Sequence, residues 1–320
     1  MEDTIAEKLL TIAENEQNVF NAGYEKGLAS GGVTINNQDK TITENGVYQA
    51  DEGYTGLGTV TVEVASTGGG DIDALLDKTI TEVKSNAKTI PQYAFYSCKN
   101  LTTIDLPNVT DIDDYAFENC YVLTTVNLPS ARFIKKNVFK SCKMLKNLDL
   151  PSLNSFGSSA ANGCTQLATI NMPVAQYIYA NAFYNCNALT TINLPELFTA
   201  DIMSFYNCSA LTTINTSKLK KIEGSAFANC YSLKTVVLRE EQVATLANVN
   251  AFNNAYHLTG TVDATYNPNG LKDGYIYVPK DLVESYKTAT NWSTYATQFR
   301  ALEDYTVDGT VNGELDESKI

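Results

Sequence analysis

The chain has 320 residues, a formal net charge of −13 at pH 7 and 44% hydrophobic residues. This length predicts two or three domains, and the hydrophobic content is sufficient for a core. The acidic balance argues against general nucleic-acid binding, because no broad basic face is available for phosphates. No signal peptide is visible and no apolar run is long enough to span a membrane, so the chain is expected to stay in the cytoplasm that makes it or to leave by another route, such as cell lysis during phage release.

Residues 1–32 are predicted to form an N-terminal helix. Ile5, Leu9, Ile12 and Val19 fall on a 4-3 spacing that Glu16 interrupts, and glycines at 23, 27, 31 and 32 follow. This pattern is typical of a short coiled-coil seam used for attachment or oligomerisation. An amphipathic helix packed on its own protein is the alternative.

Residues 33–65 are predicted to form a small β unit, with a turn at Asn45–Gly46 and an alternating strand over 59–64. Together with the segment KLLTIAENE at 8–16, this unit is similar to N-terminal modules of phage and prophage tail-associated proteins. That resemblance implies that residues 1–65 bind a virion or an oligomer partner. A homo-oligomer is one form that this assembly could take. Residues 66–70 (STGGG) are predicted to be a flexible linker.

The central part of the chain is a repeat of seven units, each 22 residues long. Every cysteine of the chain falls on it, at Cys98, Cys120, Cys142, Cys164, Cys186, Cys208 and Cys230. A phenylalanine stands three residues before each cysteine, except at Ala161, and a leucine stands three residues after each. Such a period indicates a solenoid, because one unit cannot bury its apolar face alone.

Each unit is predicted to contain one strand and one return segment. The segment Leu101–Leu106 ends in strict alternation, and Pro107 should terminate the strand because proline cannot donate to a ladder. The rest of the unit should be a short turn or 3₁₀ return. Stacking then gives a parallel sheet over residues 91–238, preceded by an N-terminal cap at 71–90.

The fourth unit departs from the pattern at two positions. Ala161 replaces phenylalanine, while Phe156 stands where other units have isoleucine. We predict that the large side chain has changed position while the core volume is kept.

The repeat resembles the BspA-like class of leucine-rich repeats. The pattern A-F-x-x-C-x-x-L-x-x-I-x-L-P is represented here by Ala116 to Pro129 (AFENCYVLTTVNLP), and the resemblance covers about half of the chain. It implies a leucine-rich-repeat solenoid from a bacterial surface, secreted or phage-encoded protein, with a role in adhesion or recognition rather than catalysis. It brings no family-wide ligand residues.

Residues 239–303 are predicted to be a degenerate eighth repeat and C-terminal cap. Ala251–Phe252 and Leu258 continue the repeat with a displacement of three residues. Residues 275–279 are predicted to be a last strand, 281–289 a helix, and Trp292 a core plug. The acidic tail at 304–320 is either loose or an added edge strand.

No catalytic, metal or cofactor site is predicted. The odd number of cysteines and their single column favour buried free thiols over disulfides. His257 is the only histidine and is far from any cysteine cluster, which argues against a metal site and a serine–histidine pair.

Three groups of outward residues are candidate ligand contacts. The exposed sheet face carries threonine and amide columns that include Asn171, Asn193 and Asn215 and could bind a glycan, or could simply help strands pair. A basic spot could meet an anionic polymer or an acidic protein patch, or be a solvated face; it comprises Arg132, Lys135, Lys136, Lys140, Lys143 and Lys146. Tyr184 and Tyr206 should stack near the surface, and Phe133 and Tyr177 share another column.

The sequence therefore predicts a non-catalytic binding or adhesion protein. The first hypothesis is a phage or prophage tail-associated, virion-bound component that recognises a cell-surface glycan or protein. The alternative is a bacterial cell-surface adhesin that binds a host protein or glycan. Neither hypothesis includes nucleic acid, membrane insertion or a cofactor.

Overall fold

The structure is a computed structural model that describes the backbone of residues 33–37, 40–42, 60–64, 81–85, 87–304, 306–307 and 310–311, and the side chains of 81–84 and 87–303. These ranges include the whole run of seven cysteines and the region predicted to be the C-terminal cap. The predicted helix over 1–32, the predicted turn at Asn45–Gly46 and the linker at 66–70 lie outside the described residues.

Three strands precede the solenoid: β1 (Val33–Asn37), β2 (Lys40–Ile42) and β3 (Val60–Val64). Strand β1 pairs antiparallel with both β2 and β3. Strand β3 in turn pairs parallel with β4 (Glu82–Ser85), which belongs to the solenoid. The small β unit therefore extends the edge of the solenoid sheet.

The solenoid has two rows of parallel strands, and β4 is the first strand of the row that we call the front sheet. Hydrogen-bonded pairing in the front row is interrupted between β8 and β10 and between β12 and β14. Paired front strands are offset by 22 residues, except for an offset of 21 between β4 and β6. The sheet continues with β6 (Thr103–Asp105), β8 (Thr125–Asn127), β10 (Asn147–Asp149), β12 (Thr169–Asn171), β14 (Thr191–Asn193), β16 (Thr213–Thr216) and β18 (Thr235–Leu238).

A second ladder, which we call the back sheet, runs through the return segments. The returns contain turns, as predicted, but each also contributes a two-residue strand that the sequence prediction missed. No 3₁₀ helix occurs within 91–238. The eight strands are β5 (Thr89–Ile90), β7 (Asp111–Ile112), β9 (Phe133–Ile134), β11 (Ser155–Phe156), β13 (Tyr177–Ile178), β15 (Thr199–Ala200), β17 (Lys221–Ile222) and β19 (Thr245–Leu246).

The core lies between the two sheets and is built from the repeat columns. The phenylalanine rings stack on one another, with centroids 5.1 Å apart for Phe95–Phe117 and 5.2 Å apart for Phe183–Phe205. At the fourth unit Phe156 supplies the ring that Ala161 lacks on the side of the fifth unit, because its ring stacks on that of Phe183 with centroids 4.9 Å apart. The predicted exchange of side chains is confirmed, and both residues are fully buried.

Two positions in each unit have left-handed backbone, and they make the sharp turns between the sheets. One of these columns contains only serine, asparagine and Gly163, which tolerate this conformation. The other column also contains Tyr93, Tyr115 and Met203, with φ of 61°, 63° and 53°. The repeat thus imposes the turn even where the side chain disfavours it.

The C-terminal cap closes the open end of the core. Phe252 stacks on Phe227 at 5.5 Å, so the degenerate eighth unit continues the aromatic column. Trp292 is buried, as predicted, and its indole nitrogen donates to the Ala244 carbonyl at 2.6 Å. The cap contains α1 (Tyr256–Thr259), β20 (Tyr275–Val278), α2 (Val283–Thr288) and β21 (Phe299–Ala301), with 3₁₀ helices at Val249–Phe252, Lys280–Leu282, Trp292–Gln298 and Leu302–Asp304.

Two predictions for the cap need correction. Strand β20 is not the last strand, because β21 pairs with it in parallel and extends the front sheet further. The predicted helix at 281–289 is a 3₁₀ turn followed by the six residues of α2. In the tail, β22 (Thr306–Val307) and β23 (Thr310–Val311) form an antiparallel pair. The remaining tail residues lie outside the described ranges.

Candidate interaction surfaces

The outward face of the front sheet, here called the Thr/Asn face, is joined into pairs by its own side chains. The Asn127 amide donates to Asp105 Oδ1 at 2.6 Å, and the Asn171 amide donates to Asp149 Oδ1 at 2.8 Å. Across the next pair of strands the Asn215 amide donates to Asn193 Oδ1 at 2.9 Å. These hydrogen bonds serve strand pairing first, and they fix the orientation of every amide that takes part.

The three candidate amides on this face differ in accessibility. Asn171 is exposed and Asn193 is half-buried, so both can meet a ligand. Asn215 is only 4% exposed, so its predicted presentation on an open face is wrong. The strand after it carries Val237, which is also buried, and the Thr/Asn face therefore ends before β16. Burial at this end of the sheet could not be read from a column of outward residues.

The basic cluster (Arg132, Lys135, Lys136, Lys140, Lys143 and Lys146) is largely occupied by contacts with the second unit. Lys135 Nζ lies 2.6 Å from Asp113 Oδ1, and Lys140 Nζ lies 2.9 Å from Glu118 Oε1. The ammonium groups of Lys136 and Lys143 sit over the rings of Tyr115 and Tyr121 at 5.6 and 5.4 Å. The hydrogen bond to Asp113 raises the pKa of Lys135. Four of the six cations thus lean back onto the preceding unit.

Arg132 and Lys146 are the remaining members of the cluster. Both are exposed, and within the described part of the chain neither has a carboxylate at ion-pair distance. Arg132 precedes β9 in the back sheet, whereas Lys146 precedes β10 in the front sheet. They therefore belong to different faces, and the six residues do not form one open basic patch.

Tyr184 and Tyr206 stack as predicted, with centroids 4.9 Å apart and planes 8° apart. Beside them the Asn207 amide donates to Asn185 Oδ1 at 2.8 Å. Stacking covers the ring faces that the two tyrosines share, so the half-buried pair presents ring edges and hydroxyls to solvent.

A second tyrosine cluster was missed by the sequence prediction. Tyr231 stacks on Tyr256 at 5.2 Å, and Tyr266 lies 4.8 Å from Tyr231. Burial raises the pKa of Tyr231 and Tyr256, and the neighbouring phenols add to the effect. Tyr266 belongs to a segment of the cap that does not follow the repeat, so the repeat columns could not predict its position.

The thiols and the histidine take structural roles. Six cysteine Sγ atoms, from Cys120 to Cys230, each donate to the carbonyl 25 residues earlier at 3.1 to 3.3 Å. Burial raises the pKa of the Cys164 thiol to about 12, which makes it a poor nucleophile. His257 Nδ1 lies 2.5 Å from Asp273 Oδ1, and Lys234 Nζ lies 3.0 Å from the other oxygen of that carboxylate.

Two features of the described residues bear on the class of function. No group of three or more histidine, cysteine, aspartate or glutamate side chains is placed to hold a metal ion. Among the helices of the described ranges, none has the length and apolar character needed to cross a membrane.

A family model of protein sequences matches the repeat region of the chain. The family model described as "BspA type Leucine rich repeat region" matches six copies, over residues 77–175 and 132–259. The chain is similar in structure to a leucine-rich repeat protein of T. pallidum, at 23% identity, 54% coverage of this chain, 83% of that one and a TM-score of 0.44. No curated protein matches the chain.

Two further solved structures are similar over more of the chain. A leucine-rich cell surface protein of Faecalibacterium prausnitzii A2-165 is 18% identical, covering 76% of this chain and 89% of its own, with a TM-score of 0.44. The pneumococcal vaccine antigen PcpA is 14% identical, covering 84% of this chain and 85% of its own, with a TM-score of 0.35.

Proposed function

Because the chain belongs to the BspA-type leucine-rich repeat family, we propose that it is a non-catalytic binding protein, an adhesin that recognises a protein or glycan on a cell surface. The observation that carries the proposal is the difference between the inward and the outward columns of the repeat. Inward columns are filled by one continuous core, while the outward columns vary and carry the amide, aromatic and basic groups. A surface of this kind suits recognition of an extended partner.

The proposed contacts are the accessible members of the outward groups. Asn171 and Asn193 offer amide groups on the front sheet, and Tyr184 with Tyr206 offers hydroxyls at the turns. Lys135, Lys136, Lys140 and Lys143 are weaker candidates, since a ligand must first displace their partners in the second unit. Arg132 needs no such displacement.

Two settings are proposed for this recognition. Family membership favours the bacterial cell surface, where the adhesin would bind a host protein or glycan. The resemblance of residues 8–16 and 33–65 to phage and prophage tail-associated modules supports the other setting, in which a virion or oligomer partner holds residues 1–65. Antibody labelling separates them: labelled intact cells support the first, and labelled particles from induced lysates support the second.

The binding function is tested with the full-length fluorescent chain on a panel of intact bacteria and host cells, measured by flow cytometry. We expect saturable binding to some of these cells. Thr169→Arg places a bulky cation on the exposed front sheet, and Tyr184→Ala with Tyr206→Ala removes the tyrosine pair. Loss of binding in either variant locates the contact face.

Val174→Ala is the matched control, because Val174 is exposed and belongs to neither of these groups. Each variant is first compared with the parent chain by thermal melting, since a folding defect would also abolish binding. Absence of saturable binding to every cell type would contradict the proposal. Depolymerisation of a bound cell-wall or capsule polymer would instead establish an enzyme.

A further inference from the structure

The back sheet has a gap in its side chains at the fourth unit. The partly exposed residues there are small, namely Asn154, Ser155 and Ser158, whereas the units on either side carry large ones. Phe133, Ser155 and Tyr177 are in register on β9, β11 and β13. Ser155 therefore forms the floor of a trough whose walls are Phe133 and Tyr177, and we call it the unit-four trough.

The two walls are exposed aromatic rings with support from outside the trough. Phe133 and Tyr177 are each 41% exposed, which is high for such large apolar side chains. Phe198, from the following unit, meets the Tyr177 ring edge-on at a centroid distance of 6.1 Å, and Lys220 lies over Phe198. Phe198 belongs to the unit on the side away from Ser155, so this contact is not made from the trough side. Tyr179, two residues further along the fifth unit, also stacks beside Tyr177 at a centroid distance of 6.4 Å.

The width of the trough follows from the strand spacing. Phe133 and Tyr177 are two strands apart, which corresponds to roughly 10 Å between their backbones. A saturated six-membered ring in contact with both aromatic faces requires about 8 Å, at roughly 4 Å for each carbon contact. One sugar ring therefore fits between the walls.

The small residues of the fourth unit differ in what limits their size. Gly157 is buried against the backbone of the third unit, where a Cβ would lie 2.4 Å from the carbonyl carbon of Lys135, so no larger residue fits there. Ser155 has no such restriction, because its column holds aspartate, phenylalanine, tyrosine, threonine and lysine in other units. Ser155, with the Asn154 amide beside it, adds polar groups to a trough with apolar walls.

The charged side chains around the trough favour a ring-shaped ligand that carries a carboxylate. Lys135 and Lys136 lean away from it, toward Asp113 and Tyr115 of the second unit. Arg132 is next to Phe133 and, within the described ranges, has no carboxylate at ion-pair distance. A guanidinium pairs well with a carboxylate, with two parallel hydrogen bonds. A stacking wall and a partner for a carboxylate thus stand at consecutive positions, Phe133 and Arg132.

We propose that the unit-four trough binds a carboxylated pyranose of an acidic polysaccharide. The proposal rests on the binding function proposed above and specifies its ligand. Phe133 and Tyr177 contact the two faces of the sugar ring, whose C–H groups carry slight positive charge toward the aromatic faces. Arg132 pairs with the carboxylate, and Ser155 and Asn154 accept or donate hydrogen bonds to ring hydroxyls.

The test is calorimetric titration of the full-length chain with three carboxylated polymers of different linkage: polygalacturonate, hyaluronan and polysialic acid. We expect at least one to bind, with dextran and polyglutamate as controls that respectively lack the carboxylate and the ring. Phe133→Ala, Tyr177→Ala and Arg132→Gln should each weaken binding about tenfold. Ser155→Trp should abolish binding by filling the trough while both walls remain.

Matched variants test whether the site is local. Tyr121→Ala removes a similarly exposed ring, and Lys146→Gln removes another cation that lacks a carboxylate at ion-pair distance among the described residues, so neither should change the affinity. Binding to none of the three polymers overturns the proposal, as does equal binding by the Ser155→Trp variant or tighter binding to polyglutamate. If the chain still binds cells in those cases, the binding function stands and only this ligand is wrong; if it binds neither, both fail.

Discussion

At the scale of single residues, the repeat accepts a polar side chain at two buried positions of its apolar columns. Thr216 occupies the leucine column and is buried, and its hydroxyl donates to the Val237 carbonyl at 3.3 Å. Ser204 occupies the alanine column and is also buried, but its hydroxyl has no hydrogen-bond partner among the described residues. An unpaired buried hydroxyl costs free energy that the same position filled by alanine does not.

We expect Ser204→Ala to raise the free energy of unfolding by about 1 kcal/mol, because it removes an unsatisfied polar atom and little volume. Urea unfolding followed by circular dichroism measures the change. Ala182→Ser, one unit earlier in the same column, is the reciprocal control and should destabilise the chain. An unchanged or lower stability for Ser204→Ala would mean that the hydroxyl has a partner in solution.

The exchange between Phe156 and Ala161 predicts strong coupling between two residues. Ala161→Phe alone should destabilise the protein by about 1 to 3 kcal/mol, because two phenylalanines would compete for one place in the stack. Adding Phe156→Ile should recover much of this loss, and a double-mutant cycle measures the recovery. Additive effects of the two substitutions would contradict the shared site. Gly157 limits full recovery, since the fourth unit has adapted its backbone to Phe156.

At the scale of elements, proline sets the length of the front strands. The five strands β6, β8, β10, β12 and β14 have three residues each, and each is followed two residues later by a proline. Strands β16 and β18, which lack this proline, have four residues. The difference agrees with the missing N–H of proline, which ends the ladder.

The cysteine ladder predicts an alkaline loss of stability. Burial raises the pKa of the Cys164 thiol to about 12, whereas in the unfolded chain a thiol ionises near about 8.5. The folded state therefore holds its proton when the unfolded state has lost it, and stability falls as pH rises between these two values. Each such thiol should contribute a slope of about 1.4 kcal/mol per pH unit.

The measurement is urea unfolding at a series of pH values from 7 upward, with Cys164→Ala as the comparison. We expect stability independent of the thiols below pH about 8.5 and a shallower decline for the variant above it. Burial also raises the pKa of Tyr286 and Tyr295 to about 12. Their contribution to the loss of stability at high pH is the same in both chains and cancels in the comparison. Identical slopes would show that Cys164 is not protected from ionisation.

At the scale of the whole molecule, the cap terminates the stack of aromatic rings that runs through the core. Phe252 lies 6.0 Å from Trp292, and Trp292 in turn packs against Tyr286 at 5.4 Å and Phe299 at 5.8 Å. In a solenoid each unit contacts only its neighbours, so the end of the core depends on this cluster. Asp273 of the cap forms an ion pair with Lys234 of the seventh unit, and within the cap it is hydrogen-bonded to His257.

Trp292→Ala should lower the free energy of unfolding by about 3 to 5 kcal/mol, as expected for a large buried aromatic side chain. Trp292→Phe keeps most of the volume and loses the hydrogen bond to Ala244, so it should cost only about 1 kcal/mol from that bond. Thermal melting by circular dichroism compares the two. Equal small effects would indicate that the cap is not needed to close the core.

The amino-acid sequence was sufficient to predict the solenoid, its 22-residue unit, the inward columns and the place where each strand ends, because a period of identical contacts leaves little choice of packing. It also predicted the exchange of Phe156 for Ala161, since core volume is conserved. Only the tertiary structure revealed the back sheet, because strands of two residues have no recognisable sequence pattern. The accessibility of the outward side chains was likewise decided only by the tertiary structure. Asn215 is buried and Lys135 is paired, whereas Phe133, Ser155 and Tyr177 meet only because stacking brings residues 22 apart into register.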